Sequence, residues 1–430
     1  MSRNRAVRGR VRVSRVLLIG NGAREHAIAA ALHKSGAKIW SLMARMNPGI
    51  DTLSERSFEG NLGQAESIPN LEKIDYAIVG PEAPLAEGLV DRLETRGISA
   101  VGPSAKTARL ETSKVYARLL LQSIQPEANP RFQVVKHIQD LDDAIDRIGL
   151  EDLVIKPDGL TGGKGVKLFA EHVHSRDEVL IYAEKMIRRD GSVIFEEKMR
   201  GTEFTVQVLV DANGTVESMP LVRDFKRAYD GDIGPNTGSM GSYSRESHGL
   251  GYVTKNDLDK SLGILKHAIR GVKENTGESY KGILYGQFMK TPQGIKVIEF
   301  NARFGDPEAM NVLSILDSSM DEICHRILDG TLKRPSFLPL ATVCVYIVPE
   351  GYPGNGVESD QPISIRGEIG SELYYASVYE RNGTVYTTGS RAIALLGKGH
   401  SVREARTAAY EDIDKIEGRI RYRSDIAANV

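Results

Sequence analysis

The first hundred residues alternate short apolar runs with helical patterns, and this alternation constrains the fold more than any other feature of the chain. Val16 to Gly20 (VLLIG) reads as a buried strand, and the turn Gly20-Asn21-Gly22-Ala23-Arg24-Glu25-His26 leads into a helical pattern that lasts to Lys34. Further strands are expected at Ile39–Met43, Tyr76–Val79 and Ser99–Val101, with a helix from Pro84 to Arg96. Strands alternating with helices assemble a parallel sheet through right-handed crossovers. Ligands of such sheets sit beyond the C-terminal strand ends. Both Gly20-Asn21-Gly22 and Gly80-Pro81-Glu82 lie there.

The remainder reads as a second class of architecture. A helix is expected from Ala105 to Ser123, carrying Lys114, and Pro126 and Pro130 mark a boundary. Phe132–Val135, a helix near Leu141–Ile148, Leu153–Lys156 and Ser192–Glu197 form a small α+β unit. Longer strands follow at Phe204–Asp211 and Val216–Val222, then a polar loop from Arg223 to Ser244. A helix over Asn256–Asn275 and the strand pair Ile283–Lys290 and Ile295–Asn301 close this unit. Pro335 and Pro339 flag a last boundary before a tail of short strands and a helix, Val402–Ile416.

With 430 residues the chain has room for several domains, and 26% charged residues with a net charge of −1 describe a globular protein without a strong overall field. That balance argues against nucleic acid and membrane as partners. No apolar run approaches the roughly 18–20 residues that span a bilayer. Cys324 and Cys344 supply no metal framework and fit a reducing, cytoplasmic location. Arg3, Arg5, Arg8, Arg10, Arg12 and Arg15 give the first fifteen residues a positive charge with no acid. Such an arm could touch nucleic acid or anionic lipid; the expectation is a disordered extension.

Several stretches carry chemistry. In Val297-Ile298-Glu299-Phe300-Asn301-Ala302-Arg303-Phe304, strand alternation puts Glu299, Asn301 and Arg303 on one face. A carboxylate and an amide oxygen are hard ligands suited to Mg²⁺, and the Arg can hold a phosphate oxygen or an acyl phosphate. The same pattern also suits an edge strand with a polar solvent face. Gly20 to Glu25 departs from a dinucleotide fingerprint, because Glu25 stands where the third glycine belongs and the second strand ends in Leu42-Met43-Ala44-Arg45 without an acid. Its backbone N–H groups can still meet a phosphate. Asp158 to Gly165 (DGLTGGKG) is not a Walker loop, since Gly165 follows Lys164, but its glycines can fold over a polyphosphate; a flexible hairpin is the plain alternative. Glu196 to Glu203 reads as a hinge between lobes, where an adenine edge would meet backbone and Glu203 a ribose. The long loop Asp224 to Gly241 offers Lys226 and Arg227 to a phosphate and glycines to a small substrate.

Taken together, IGNGAREH, VGPEAPL, IKPDGLTGGKGV, DFKRAYDGDIGPNTGSMGSYS and VIEFNARFGDPE resemble the glycinamide ribonucleotide synthetase family of the ATP-grasp superfamily, from about Val16 to the C-terminus. The resemblance implies an α/β and α+β multidomain protein. Its parts would be the arm (1–15), an N-terminal parallel α/β domain (16–113), the large ATP-grasp lobe (114–127 and 196–335), a small lid lobe (128–195) and a small C-terminal α+β domain (336–430). It implies a ligase of purine biosynthesis that joins glycine to 5-phosphoribosylamine with ATP, through glycyl phosphate. Lys114, Lys156, Gly162, Gly163 and Lys164 would hold ATP phosphates, Glu196 and Met199 the adenine, and Glu203 the ribose. Glu299 and Asn301 would bind Mg²⁺ or Mn²⁺. Arg303, Lys156 and Asp224 would stand at the reacting centre. Gly22, Arg24, Glu82, Lys226, Arg227, Asn236, Gly238 and Asp306 would surround the two smaller substrates. The expected state is a monomer or weak homodimer with small-molecule partners only.

There are departures from the family pattern. Pro157 and Thr161-Gly162 stand where many members have alanine, Phe225 stands where His is common, and the arginine arm is extra. Three other readings are a different ATP-grasp carboxylate–amine ligase or carboxylase, a dinucleotide oxidoreductase, and a nucleic-acid binder using the arm. The loop DFKRAYDGDIGPNTG opposes the first, Glu25 and the missing acid the second, and the net charge the third.

Overall fold

The computed structural model describes residues 13–161, 165–354 and 356–430. Residues 1–12 of the arm, and Gly162, Gly163 and Lys164 of the glycine turn, lie outside the described residues. Arg15, assigned to the arm from sequence, instead opens the first strand.

Five parallel strands form the N-terminal sheet in the order Ser54–Glu59, Lys38–Met43, Arg15–Ile19, Tyr76–Val79, Ser99–Val101. The apolar runs occupy its buried middle, as their composition demands. Ser54–Glu59 (SERSFE) was not expected; it is a half-exposed edge strand, and its polar residues give no apolar signal. The helix expected over Pro84–Arg96 is two, Glu82–Ala86 and Leu89–Thr95, because Gly88 turns left-handed at φ 74°. The helix expected over Ala105–Ser123 likewise breaks. Ser113 adopts extended backbone, and its hydroxyl accepts the Tyr116 N–H at 3.1 Å, so it caps Lys114–Ile124 after the short turn Arg109–Thr112.

Two antiparallel sheets follow. The smaller has the order Phe132–Val135, Val193–Glu197, Leu153–Pro157, Lys167–Leu168, and packs against its own core, separate from the main one. The larger has the order Val216–Ser218, Thr202–Val210, Gly282–Thr291, Gly294–Asn301. In the last pairing Gln287 faces Glu299 while Phe288 faces Val297, so Ile298 is an extra residue, a bulge. The strand ends at Asn301, which leaves Arg303 beyond it; strand alternation alone does not place Arg303 beside Asn301.

The loop expected over Arg223–Ser244 is largely ordered by pairing. Arg223–Asp224 and Gly241–Ser244 join a sheet with Ala341–Pro349, Ile393–Gly399 and Glu372–Tyr375, while Arg227–Tyr229 and Ile233–Asn236 form a hairpin. The strands are too short for a periodic sequence signal. The closing helix stops at Glu411 rather than Ile416. Phe225 is 8% exposed and lies between the Arg223 and Arg423 guanidinium groups, each 5.3 Å from its ring, so this departure from the family pattern is a core residue. Among the described residues no helix is long and apolar enough to cross a membrane.

The C-terminal sheet docks on the N-terminal unit through His26, on the helix Ala23–Lys34, and Asn47, which caps the helix Pro48–Leu53. The His26 ring stacks on Tyr375 at 6.0 Å, and its Nδ1 accepts the Tyr375 N–H at 2.9 Å; Asn47 Nδ2 donates to the Asn21 and Tyr375 carbonyls. An accepting Nδ1 requires the neutral ring. Burial holds His26 down to about 4, against 6.5 in the unfolded chain. Between those values the unfolded chain takes up a proton that the folded one refuses. Stability is therefore complete above pH 6.5 and falls as pH drops toward 4, by about 3 kcal/mol from this group. Urea unfolding of His26→Gln across that range is expected to show a flatter decline than the parent; equal slopes would remove His26 from the account.

Candidate active site between the two antiparallel sheets

The cleft is lined by Lys114, Arg118, Lys156, Glu196 and the segment Val297–Asn301. Its floor is an ion cluster. Arg118, 3% exposed, donates to Glu196 Oε1 at 2.7 Å and Oε2 at 2.9 Å, and the Lys156 ammonium lies 2.8 Å from Oε2. Arg118 also donates to the Val297 and Ile298 carbonyls at 2.9 and 2.8 Å, and Lys156 to Ile298 at 3.3 Å. The bulge makes the Ile298 carbonyl the shared acceptor. Burial pushes the Glu196 carboxyl up, but the Arg118 and Lys156 cations outweigh it and hold it at about 2. Burial pulls the Lys156 ammonium down, and the charges of Glu196 and, across the cleft, Glu299 oppose that pull.

Lys114 donates to the Gly159 carbonyl at 2.8 Å, and Asp158 accepts the Val115 N–H at 3.2 Å, so the glycine turn is tied to the start of the helix Lys114–Ile124. Glu196 sits inside the small sheet, opposite Phe132 and Val154, and Met199 follows in the hinge. Glu203 is the second residue of the strand Thr202–Val210, and its Oε2 accepts from Gln287 at 2.7 Å.

Arg303 occupies the other end. Nε donates to Glu82 at 3.3 Å, Nη2 lies 2.9 Å from Glu111 and donates to Asn301 Oδ1 at 3.3 Å, and Nη1 donates to the Phe304 carbonyl at 3.1 Å. It is brought back to Asn301 by these carboxylates rather than by strand alternation. Glu111 also accepts the Ala302 N–H at 2.7 Å; burial pushes it up to about 6. Among the described residues the Glu299 carboxylate has no hydrogen bond or ion pair, and no cluster of three or more acidic, His or Cys side chains could hold a metal unaided.

The remaining expected residues divide. Asp224 pairs with Lys226 at 2.8 Å and accepts the Ser239 hydroxyl at 2.6 Å. Glu308 is buried nearby and accepts the Tyr285 hydroxyl at 3.0 Å; burial and then the Asp224 charge push it up to about 7. Arg227 turns away toward Glu171, at 2.8 Å, and the Gly234 carbonyl, with Asn236 opposite it on the hairpin. Both Asp306 oxygens are engaged, by the Tyr346 hydroxyl at 2.5 Å and Arg391 at 2.9 Å. The Gly22 N–H, expected to meet a phosphate, instead donates to Glu25 Oε2 at 2.7 Å. Arg24 donates to Glu25 at 2.6 Å and lies 4.0 Å from Glu82. A Cβ at Gly20 or Gly80 would collide with Glu25, which fills the space between the two turns.

Family models for the N domain, the ATP-grasp (A) domain and the C domain of phosphoribosylglycinamide synthetase match residues 14–111, 112–309 and 342–429. The chain belongs to the phosphoribosylglycinamide synthetase family. It is 46% identical over 426 residues to a phosphoribosylamine–glycine ligase of Methanoregula boonei, covering 96% of each chain. The crystal structure of phosphoribosylamine–glycine ligase from Thermotoga maritima aligns with TM-score 0.82 at 28% identity, covering 96% of this chain and all of that one. The biotin carboxylase domain of 2-oxoglutarate carboxylase from Hydrogenobacter thermophilus shares the fold, with TM-score 0.71 at 15% identity over 95% of this chain and 91% of that one.

Sequence reasoning assigned no role to Arg118, Glu111, Glu308 or Arg391. One signal was available for Arg118: it lies with Ala117, Leu120 and Leu121 on the buried face of its helix, where a charge must have a partner. Arg118→Met would leave Glu196 short of its bidentate partner in a dry site. A loss of about 3–5 kcal/mol in urea unfolding is expected, smaller when Glu196→Gln is added.

Proposed function

We infer that this chain is an ATP-dependent ligase that joins glycine to 5-phosphoribosylamine, giving glycinamide ribonucleotide, ADP and phosphate in purine biosynthesis. The observation that carries the reading is one cleft that holds Lys114, Lys156, Glu299 and Asn301 together, over the Arg118–Glu196–Lys156 cluster.

A glycine carboxylate oxygen attacks the γ-phosphorus of ATP, and ADP leaves as the bond to its bridging oxygen breaks. The amine nitrogen of phosphoribosylamine then attacks the carbonyl carbon of glycyl phosphate; the carbon–oxygen bond to phosphate breaks and the nitrogen releases a proton. Such transfers need positioning and charge neutralisation more than covalent help from the protein. Lys114 and Lys156 serve the phosphates. A phosphate would replace Glu196 as the principal anion facing Lys156. Met199 and the hinge backbone suit the adenine, and Glu203 the ribose. Glu299 and Asn301 fit a divalent ion, Mg²⁺ or Mn²⁺: one oxygen anion without a protein partner and one amide oxygen, too few alone, leave the rest of the shell to phosphates and water. When bound, that ion supplies further charge neutralisation. Arg303, held by Glu82 and Glu111, presents a fixed cation beside Asn301. Asp224 and Lys226, fixed by Ser239, suit the amino and carboxylate groups of the small substrates. The small lobe excludes water from an acyl phosphate that would otherwise hydrolyse.

ADP release should require glycine and phosphoribosylamine together; equal release with either omitted would falsify the reading. Lys156→Ala should raise the KM for ATP and lower kcat by about 100-fold. Glu299→Gln should shift the metal titration of the rate to higher concentration, and an unmoved titration would place the ion elsewhere.

A further inference from the structure

Arg391 stands two residues before the C-terminal strand Ile393–Gly399, outside every motif that points to the substrates, yet its guanidinium lies at the meeting point of two proposed substrate loops. Nη1 donates to the Gly238 carbonyl, to the Ser239 carbonyl at 3.2 Å and to the Asp306 carbonyl at 3.3 Å. Nη2 donates to Asp306 Oδ2 at 2.9 Å, and the plane lies over the Tyr346 ring at 4.3 Å. Tyr346 in turn donates its hydroxyl to the other Asp306 oxygen at 2.5 Å. A Cβ at Gly238 would come within 2.9 Å of the guanidinium carbon, so this close approach requires glycine.

The consequence runs through Ser239. Its backbone is held left-handed, at φ 86°, and in that setting its hydroxyl reaches Asp224 at 2.6 Å. Asp224 pairs with Lys226. The strands on either side of this loop, Arg223–Asp224 and Gly241–Ser244, are themselves part of the C-terminal sheet through Ala341–Pro349. We propose that Arg391 is the positioning residue through which the C-terminal sheet sets the Gly238–Ser239 turn and the Asp306 turn at one spacing, and thereby aligns Asp224 and Lys226 for the glycine and phosphoribosylamine of the proposed reaction. A planar fork can satisfy three carbonyls and a carboxylate at once; an ammonium cannot. The ATP side of the cleft, at Lys114, Lys156 and Glu299, shares none of these bonds. The inference rests on the ligase reading and adds a specificity to it: the C-terminal sheet governs the two small substrates and not the nucleotide.

The test is steady-state ADP release by the full chain, with each of the three substrates varied in turn, for the parent, Arg391→Lys, Ser239→Ala and the double variant. The parent decides the ligase reading: without turnover on glycine and phosphoribosylamine that reading fails first. Given parent turnover, Arg391→Lys is expected to lower kcat/KM for glycine and phosphoribosylamine by about 10- to 100-fold while the KM for ATP stays within about 2-fold. Ser239→Ala should reproduce the split, and the double variant should be little worse than either alone, because both break one linkage. Unchanged kinetics in Arg391→Lys, an equal loss for all three substrates, or fully additive losses in the double variant would each overturn the proposal. If Arg391→Lys does not fold, Tyr346→Phe, which frees one Asp306 oxygen and leaves the guanidinium, must show the same split in milder form, and its absence overturns the proposal as well.

Discussion

The pairing of Arg118 with Glu196 is the constraint on which the cleft depends. It joins a helix, the central strand of the small sheet and the bulged strand of the large sheet at one dry point. Burying three charges is costly, and such clusters are weak evidence for net stability. What this one provides is geometry. Because Arg118 uses its donors on both carboxylate oxygens and on two consecutive carbonyls, the strand bearing Glu299 and Asn301 cannot slide against the small sheet without leaving a charge unpaired. The bulge at Ile298 belongs to the same arrangement, since a regular ladder would turn that carbonyl toward the neighbouring strand.

Around that fixed point the site is assembled from parts that are far apart in the chain. Arg303 is held by Glu82 of the N-terminal region and Glu111 of the following turn. The segment Gly241–Ser244 takes its order from the distant strand Ala341–Pro349. Among the described residues the small sheet has a hydrophobic core of its own, separate from the main one. Outside the cleft floor it is tied by Asp158 and Gly159 to the start of the helix Lys114–Ile124, and by Glu171 to Lys198 and Arg227 at 2.7 and 2.8 Å. Ion pairs of this kind near the surface are weak.

The legible parts of the fold were those in which burial is continuous along the chain. VLLIG and YAIV lie in the sheet centre as their composition requires, and the 22-residue helix Lys255–Thr276 departs by one residue at each end from its reading. Breaks were illegible where one residue redirects the backbone, as at Gly88 and Ser113. So were strands held by neighbours rather than by their own side chains, such as Ser54–Glu59 and Arg223–Asp224. At the site, the spacing of Glu299 and Asn301 placed both on the cleft, while the partners of Lys156, Arg303 and Asp306 had no signature at all.

The amino-acid order by itself determined the class of fold and the family, and it singled out the residues proposed for phosphate and metal, because periodicity, glycine turns and short spaced motifs are local properties. Tertiary structure decided which of those groups are already engaged. Lys156 faces a carboxylate, Asp306 an arginine just ahead of a strand of the last sheet, and the Gly22 N–H a glutamate three residues on. Charge pairing in a dry interior depends on distance through space, and distance through space is not written in any local stretch of the chain.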